Sequence, residues 1–435
     1  MNNLDQLKKL FETNQCEKLF VKTLSPNDNS KNQVYLGGSF EVLNLLPITT
    51  IINEEAGDWN RERFKASIDF SWIANDGTLN VAPNAQLILY PKYPEVRFSG
   101  FLKRCQKAPS ALMTQRTGGR LLFLGVTKGG KILGYVSDVN SQIANEFNQI
   151  ADKAINGVFQ VLELSKLKNS REKLINEMRR IHQLGWVVSK RLDSNGLILP
   201  CNASNCGGYT LEAELGITPN GYSEPDYLGW EIKQFAVSNF SRIESSVITL
   251  MTPEPTSGFY KSDGVKSFLR KYGYPDKMGR EDRLNFGGIH KVDIPHSTTG
   301  LTMELIGFDK ESGKIRNTAG KIALIDQQGN EAAAWDFTSM LKHWNRKHNQ
   351  ACYVPSISLK KEDLQYSFGN RLILGEQTDF QFFLSLMNRG DIYYDPGIKM
   401  EHISSDKPLV KRRSQFRVKS KFLPDLYKSN SIVDL

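Results

Sequence analysis

Residues 225–233 read Pro-Asp-Tyr-Leu-Gly-Trp-Glu-Ile-Lys, and this stretch predicts both a strand and a chemistry. Side chains of a β-strand alternate between two faces, so Glu231 and Lys233 point to the same side. Asp226, on the bend before the strand, can bring its carboxylate to that side. Two carboxylates can bind a hard divalent cation such as Mg²⁺ through oxygen. The metal polarises a phosphodiester oxygen and lowers the pKa of a bound water, while a lysine stabilises the developing negative charge.

A surface ion pair on an amphipathic strand is the alternative interpretation of this motif. Glu231-Ile-Lys233 is the only acid–any residue–lysine triplet in the sequence. It follows a Pro-Asp pair, and the apolar Trp230 and Ile232 alternate with its polar residues. Spacing alone leaves both interpretations open, metal-dependent phosphodiester hydrolysis and a surface ion pair.

Length, charge and cysteine content limit the class of protein. The 435 residues are enough for two or three domains, and 40% hydrophobic with 24% charged residues is ordinary for a folded soluble chain. The net charge of +9 favours an anionic partner, with nucleic acid first. We find no apolar run of membrane-spanning length and no secretory signal. Five dispersed cysteines, with Cys201 and Cys206 the only close pair, predict reduced thiols in a cytoplasmic protein without structural zinc.

Hydrophobic patterning divides the chain into three parts. Residues 1–150 are predicted to be mostly β, because short apolar runs at 18–24, 65–73, 85–91, 120–126 and 131–136 are separated by Gly, Asn and Pro. Apolar residues then recur at helical spacing, which predicts a helical linker over residues 151–184. Residues 185–435 are predicted to be α/β, with helices at 210–216, 333–348 and 379–390 and strands between them.

Residues 185–256 resemble the MvaI/BcnI-type restriction endonucleases of the PD-(D/E)xK nuclease superfamily. The shared features are a Gly-Trp before basic residues, Gly-x-Thr-Leu-Glu at a helix, the Pro-Asp-x₄-Glu-x-Lys hairpin and a strand that ends in a Thr/Pro segment. A looser resemblance extends to residue 427. It implies an α/β PD-(D/E)xK nuclease fold with a mixed central sheet over residues 185–435, with Mg²⁺ as cofactor.

The same resemblance implies roles for four acidic and basic residues. Asp226 and Glu231 would bind the metal, and Lys233 would be the catalytic lysine. Glu212 falls where the family has a helical acid facing the site, where it would hold a metal-bound water or a second metal. The alternative for Glu212 is an acid near a helix N-terminus, stabilised by the helix dipole.

Base recognition in this family comes largely from C-terminal loops that enter the major groove, which here correspond to residues 399–417. The expected DNA-contacting residues there are Lys399, His402, Lys411, Arg412, Arg413 and Arg417. An arginine can bind guanine with two hydrogen bonds, and the alternative for each residue is a phosphate contact. Lys190 and Arg191 are expected to contact the DNA backbone. The family has a histidine before its final Phe-Arg, whereas this chain has residues 411–415 of sequence Lys-Arg-Arg-Ser-Gln, so the target sequence does not follow from the resemblance.

Residues 19–47 resemble the start of the EcoRII-type effector domain, a DNA-binding pseudobarrel shared with plant-specific transcription factors. The shared features are a strand, Leu-Ser-x-Asn-Asp, a polar loop, and a second strand with a short helix that ends near a proline. In that family two arms clamp the major groove, and here they correspond to residues 25–33 and 91–107. The DNA contacts implied are Asn27, Lys31, Gln33, Lys92, Arg97, Lys103, Arg104 and Lys107. Another small β-barrel is the alternative fold for residues 1–150.

The two resemblances together imply a monomeric type II restriction endonuclease that cuts double-stranded DNA at a short, C/G-rich, near-palindromic site. Residues 1–150 would bind a second, effector site, as in type IIE enzymes, and a cognate DNA methyltransferase would be the functional companion. The alternatives are a nicking endonuclease similar to mismatch-repair enzymes and a non-catalytic DNA-binding regulator.

Overall fold

The structure is a computed structural model that describes residues 1–26, 32–37, 42–43, 45–54, 63–90, 95–127, 129–151, 153–164, 169–203, 205–218, 226–317 and 319–435. Two compact units divide the chain, unit 1 (Met1–Ser170) and unit 2 (Arg171–Leu435). None of the helices in these ranges is long and apolar enough to cross a membrane.

Unit 1 is built mainly from strands. Its helices are α1 (Leu4–Thr13), α2 (Ser110–Met113) and α3 (Gln142–Gln149). Its strands are β1 (Cys16–Leu24), β2 (Val34–Tyr35), β3 (Thr50–Glu54), β4 (Arg63–Ser67), β5 (Phe70–Ile73), β6 (Leu79–Val81), β7 (Gln86–Tyr90), β8 (Glu95–Ser99), β9 (Arg120–Thr127), β10 (Ile132–Ser137), β11 (Ala154–Asn156) and β12 (Phe159–Leu162). The strands predicted in residues 1–150 are confirmed, although 65–73 is two strands.

Two sheets organise the described part of unit 1. One has the strand order β11-β12-β1-β9-β10-β5-β6, and the other β2-β8-β7-β4-β3. Helices α1 and α3 bury Leu7, Phe11 and Phe147 in a core shared with Leu19 and Phe123 of the first sheet. Polar caps begin both helices, because Asn3 accepts a hydrogen bond from the Gln6 amide and Ser141 from the Ala144 amide. The structure thus describes a two-sheet unit, while its comparison with an effector pseudobarrel stays a prediction.

The helical linker predicted over residues 151–184 is wrong in its first part, where the structure has strands β11 and β12. Helix α3 ends at Gln149, and β11 and β12 then form a hairpin whose register pairs Asn156 with Phe159. Gly157 and Val158 form the two-residue turn of this hairpin, and a glycine at the first turn position, here with a positive φ of 61°, is typical of a type II′ turn. The helix expected further along is present as α4 (Ser170–Gln183), but its buried face packs in the core of unit 2.

Unit 2 mixes helices with several small sheets. After α4 its helices are α5 (Cys206–Glu214), α6 (Phe259–Ser262), α7 (Gly264–Tyr272), α8 (Phe337–His348) and α9 (Phe380–Asn388). Its strands are β13 (Trp186–Val188), β14 (Lys190–Leu192), β15 (Ile198–Pro200), β16 (Glu231–Ala236), β17 (Val247–Met251), β18 (Tyr274–Pro275), β19 (Arg283–Gly287), β20 (Thr302–Ile306), β21 (Phe308–Asp309), β22 (Lys314–Ile315), β23 (Lys321–Ile325), β24 (Glu331–Asp336), β25 (Gln350–Lys360), β26 (Leu364–Phe368), β27 (Arg371–Thr378), β28 (Ile392–Tyr394), β29 (Gly397–Glu401), β30 (Leu409–Lys411), β31 (Phe416–Lys419) and β32 (Tyr427–Asp434). Two 3₁₀ turns, Ser420–Phe422 and Pro424–Leu426, precede β32.

The principal sheet of unit 2 is mixed, as predicted. Its order is β13-β26-β25-β27-β32, and β16 adds to β25 in parallel while the other pairings are antiparallel. Helices α4 and α5 cover the face that carries Trp230, Ile232 and Val354. Glu231 and Lys233 point to the opposite face because side chains alternate along β16. A second sheet, β18-β19-β29-β30, carries part of the basic C-terminal region.

Two expectations about unit 2 need correction. The helix predicted at 333–348 begins only at Phe337, because the preceding segment pairs with β23 as strand β24 and buries Ala333, Ala334 and Trp335. Burial on both sides hides the alternation that would mark a strand. The cysteines were expected to be reduced. In the structure, Cys201 and Cys206 form a disulfide at the start of α5, with Cα atoms 5.7 Å apart.

Candidate active site

A tight hairpin places Asp226 opposite Glu231. The Tyr227 amide donates to the Trp230 carbonyl, and the Trp230 amide donates to the Tyr227 carbonyl, at 3.0 and 2.8 Å. Leu228 and Gly229 form the two-residue turn, with positive φ values of 47° and 85°. Such a turn has the geometry of type I′. The residues that flank a hydrogen-bonded pair face each other across the hairpin, so the turn brings the two carboxylates together.

Hydrogen bonds fix the carboxylates relative to the strand. Asp226 Oδ2 accepts a hydrogen bond from the Ile232 amide at 3.0 Å. Glu231 is only 2% exposed, and its Oε1 lies 3.1 Å from Lys233 Nζ. The Lys233 side chain keeps 19% of its surface exposed, so the ammonium stays accessible from solvent. Pro225 lies outside the described residues.

Two buried tyrosines complete the surroundings of Glu231. Tyr353 is paired with Lys233 in the parallel register of β16 and β25, so both side chains lie on one face. Its hydroxyl is 2.8 Å from the hydroxyl of Tyr427, at the start of β32. Burial raises the pKa of both phenols, and the negative charge of Glu231 raises the pKa of each further. Both tyrosines therefore stay neutral at physiological pH and can act only through hydrogen bonds.

The donor set fits a hard divalent cation. Asp226 and Glu231 supply carboxylate oxygens, which Mg²⁺ prefers, and Mg²⁺ is commonly held by one or two carboxylates plus substrate phosphates. Within the described ranges, no cluster of three or more His, Cys, Asp or Glu residues is arranged to hold a metal. Two carboxylates leave the remaining positions of such an ion to water and substrate.

Glu212 belongs to helix α5. The buried Cys206 and Leu211 of this helix pack with Trp230 and Ile232, on the face of β16 opposite to Glu231 and Lys233. Glu212 itself is half-buried, and its role at the carboxylate pair stays a prediction.

Comparison with protein-family models gives a match to the MvaI/BcnI restriction endonuclease family over residues 175–427, which is more than half of the chain. The chain belongs to this family. It is therefore a site-specific nuclease, and the matched segment contains the hairpin, the lysine and both tyrosines.

Two solved structures are similar to part of this chain. One is the restriction endonuclease MvaI in complex with its cognate DNA substrate, which is 18% identical in sequence with a TM-score of 0.45. The match covers 60% of this chain and 97% of the MvaI chain. MvaI without DNA is 17% identical, with 61% and 97% coverage and a TM-score of 0.34. No curated protein matches the chain.

The basic residues predicted to contact DNA in the C-terminal region of this family member lie on two sheets. Lys399 on β29 and Lys411 on β30 are opposite each other, and both pair with Glu401, at 2.9 and 3.4 Å. The hydrogen bond from Lys399 lowers the pKa of Glu401, and Lys411 adds to the effect. Arg417 on β31 instead donates to Asp395 at 2.7 Å. These three cations are therefore held in place by carboxylates.

Other predicted DNA contacts are more exposed or differently paired. Arg412 lies 3.9 Å from Glu254, and His402 lies 4.0 Å from Asp282. Arg413 and Arg191 are exposed. Lys190 forms a 2.5 Å ion pair with Glu214 of α5, an acid that the sequence did not single out.

In unit 1 the structure brings together the described parts of the two predicted arms. Arg97 Nη1 donates to Gln33 Oε1 at 3.3 Å, and Arg97 also pairs with Glu95 at 2.9 Å. Lys103, Arg104 and Lys107 are exposed on the turns that follow β8. The predicted contacts Asn27, Lys31 and Lys92 lie outside the described residues.

Sequence reasoning did not identify Tyr353 and Tyr427. They come from strands that start about 120 and 200 residues after the motif, and no local spacing connects them to it. The polar tyrosine inside the apolar run 351–354 was the one available signal, because a buried phenol needs a hydrogen-bond partner.

Proposed function

We propose that the protein is a type II restriction endonuclease that hydrolyses DNA phosphodiester bonds with Mg²⁺ at a short, C/G-rich, near-palindromic site. The observation that carries the proposal is the hairpin, which sets Asp226 opposite Glu231 with Lys233 Nζ 3.1 Å from Glu231. Family membership supports the same class of reaction.

The residues divide the work in a simple way. Bound Mg²⁺ would supply charge stabilisation and a water of lowered pKa. Asp226 and Glu231 would hold the ion, and the Ile232 amide keeps the Asp226 carboxylate in place. Lys233, oriented by Glu231, would place its ammonium beside the attacked phosphate and stabilise the negative charge that develops there.

The basic segment 407–421 supports the proposal that the protein binds the DNA duplex near the active site. It contains seven lysines and arginines and no acid. Phosphate neutralisation supplies most of the affinity of such surfaces, and arginines that reach guanine edges add specificity. Arg412 and Arg413, which are exposed, are the proposed base readers, while Lys399, Lys411 and Arg417 first have to share or leave their carboxylate partners.

We assign unit 1 a DNA-binding role at a second, effector site. The Gln33–Arg97 hydrogen bond and the exposed Lys103, Arg104 and Lys107 support it, because amide and cationic donors suit base edges and phosphates. This design would make cleavage by unit 2 respond to a second DNA site.

Digestion of a sequenced supercoiled plasmid tests the proposal. With Mg²⁺ we expect linear DNA with defined ends, and run-off sequencing of those ends gives both the recognition site and the cut position. Persistent open circles would instead indicate a nicking enzyme. Absence of any cleavage across a range of salt and Mg²⁺ concentrations would point to a non-catalytic regulator and contradict the proposal.

A further inference from the structure

Unit 1 contains a cavity of about 230 Å³. Lys22 of β1, Gln33, Arg97 of β8 and Arg120 of β9 supply polar groups to it, while Phe101 and Met113 supply apolar surface. None of the described residues that line it is acidic. A partly enclosed space with three cations on its wall favours an anionic occupant.

Arg120 is the strongest feature of this cavity. It is 1% exposed, and its guanidinium donates to three neutral backbone carbonyls: Nε to Thr117 at 2.7 Å, Nη1 to Leu112, and Nη2 to Ser25 at 3.4 Å. A guanidinium has five N–H groups, so these three bonds leave donors for a further acceptor. Burial lowers the pKa of Arg120 and the charge of Asp138 opposes this effect. A buried cation held by carbonyls is stabilised further by an anion.

Lys22 adds positive charge at the same place, and Arg97 adds a guanidinium whose charge Glu95 offsets. Lys22 is half-buried, and burial lowers the pKa of its ammonium. Arg97 is held by Glu95 and by Gln33, which fixes the direction of its guanidinium. Three cations from β1, β8 and β9 therefore converge on one cavity that also has an apolar wall.

We propose that this cavity binds the phosphate of a nucleotide, with Lys22, Arg97 and Arg120 as donors and Phe101 and Met113 in contact with the sugar or base. The apolar wall favours a nucleotide over a lone phosphate, because a phosphate has no apolar surface to place against it. The source is either a strand of effector DNA or a free nucleotide, which share this chemistry. Only the DNA source rests on the proposed role of unit 1, and neither source depends on catalysis by unit 2.

Acetylation of lysines in the full-length protein, followed by peptide mass spectrometry, tests the site. The probes are deoxycytidine monophosphate, inorganic phosphate and a duplex of about 20 base pairs, in a phosphate-free buffer. A probe at about ten times its dissociation constant should slow Lys22 acetylation about tenfold. Lys131, on the β9–β10 turn, is the internal control and should react at an unchanged rate.

Two variants separate the cavity from general surface charge. Arg97→Gln should reduce the protection of Lys22, whereas Arg116→Gln, an exposed arginine on the segment before β9, should not. Protection by the duplex alone assigns the site to a DNA strand, and protection by the mononucleotide assigns it to a free nucleotide. Equal protection by inorganic phosphate overturns the nucleotide contact, and an unprotected Lys22 with every probe overturns the site. Plasmid cleavage measured in parallel reports separately on unit 2.

Discussion

At the scale of single residues, local spacing identified Glu231 and Lys233 but not their surroundings. The period of two along a strand is a local property, so the sequence shows which side chains share a face. The pairing of Lys233 with Tyr353 is a contact between distant strands, which spacing within one strand does not encode. The residues proposed to bind the metal could therefore be singled out from the sequence, while the residues that surround them could not.

The Tyr353–Tyr427 pair gives a test of buried hydrogen bonding beside Glu231. Replacing either tyrosine alone by phenylalanine leaves one buried hydroxyl without its partner and should lower the free energy of unfolding by about 1–3 kcal/mol. The double replacement removes both hydroxyls and should cost less than the two single changes added together. Urea denaturation of the four proteins measures this, and strictly additive losses would argue against the hydrogen bond.

His290 should make stability depend on pH. It is fully buried, and burial followed by the charge of nearby His296 lowers its pKa to about 4 from the ordinary value of 6.5. Below pH 6.5 the unfolded chain takes up a proton that the folded chain does not bind until about pH 4. This group's contribution to stability is therefore lost as pH falls through that window.

Between pH 7 and pH 5 the loss attributable to His290 should be about 2 kcal/mol. Urea denaturation at both pH values measures it in the native protein and in His290→Gln, which lacks the titrating group. An equal pH dependence in the two proteins would show that His290 does not carry the effect.

At the scale of elements, the two-residue turn between Asp226 and Glu231 determines the geometry of the site. Its Gly229 adopts a positive φ of 85°, which an alanine accommodates poorly. The sequence indicated the bend but not this turn type, because Leu228 is an unusual residue at φ 47°. The hairpin at Asn156-Gly157 was not predicted for a different reason. Here the sequence does contain a turn signal, but the apolar residues around it recur at helical spacing, and that spacing was given more weight.

Gly229→Ala should weaken catalysis more than stability. We expect a loss of about 1 kcal/mol in the free energy of unfolding and a cleavage rate reduced up to ~10²-fold, because the two carboxylates shift relative to each other. Gly196→Ala, at φ 82° in the β14–β15 hairpin, is the matched control with similar backbone strain. Comparable cleavage rates in the two variants would contradict a geometric role for the turn.

At the scale of the whole molecule, the chain divides into two units at residue 170, inside the segment 151–184 that was predicted as a linker between residues 1–150 and 185–435. A fragment that starts at residue 151 would retain β11 and β12 without the strand β1 on which β12 packs. The chain length suggested two or three domains. The boundary between them depends on which sheet the β11–β12 hairpin joins, and this pairing with β1 is a long-range contact that local sequence patterns do not show.

A fragment of residues 171–435 tests the division of labour between the units. It should fold and cleave DNA with a single site, and it should lose any stimulation by a second DNA site that the full chain shows. Cleavage of one-site and two-site plasmids by both proteins measures this. Unchanged stimulation in the fragment would contradict the effector role of unit 1.

Single-turnover cleavage of a cognate duplex tests the proposal that Asp226, Glu231 and Lys233 form a Mg²⁺-dependent catalytic site. Asp226→Asn, Glu231→Gln and Lys233→Met should each slow cleavage roughly 10²–10⁴-fold at saturating Mg²⁺ while duplex binding in Ca²⁺ is retained. Lys361→Met and Glu362→Gln, exposed on the turn between β25 and β26, are the matched controls and should cleave at the native rate. Native cleavage rates in the three site variants, or cleavage that persists without a divalent metal, would contradict the claim.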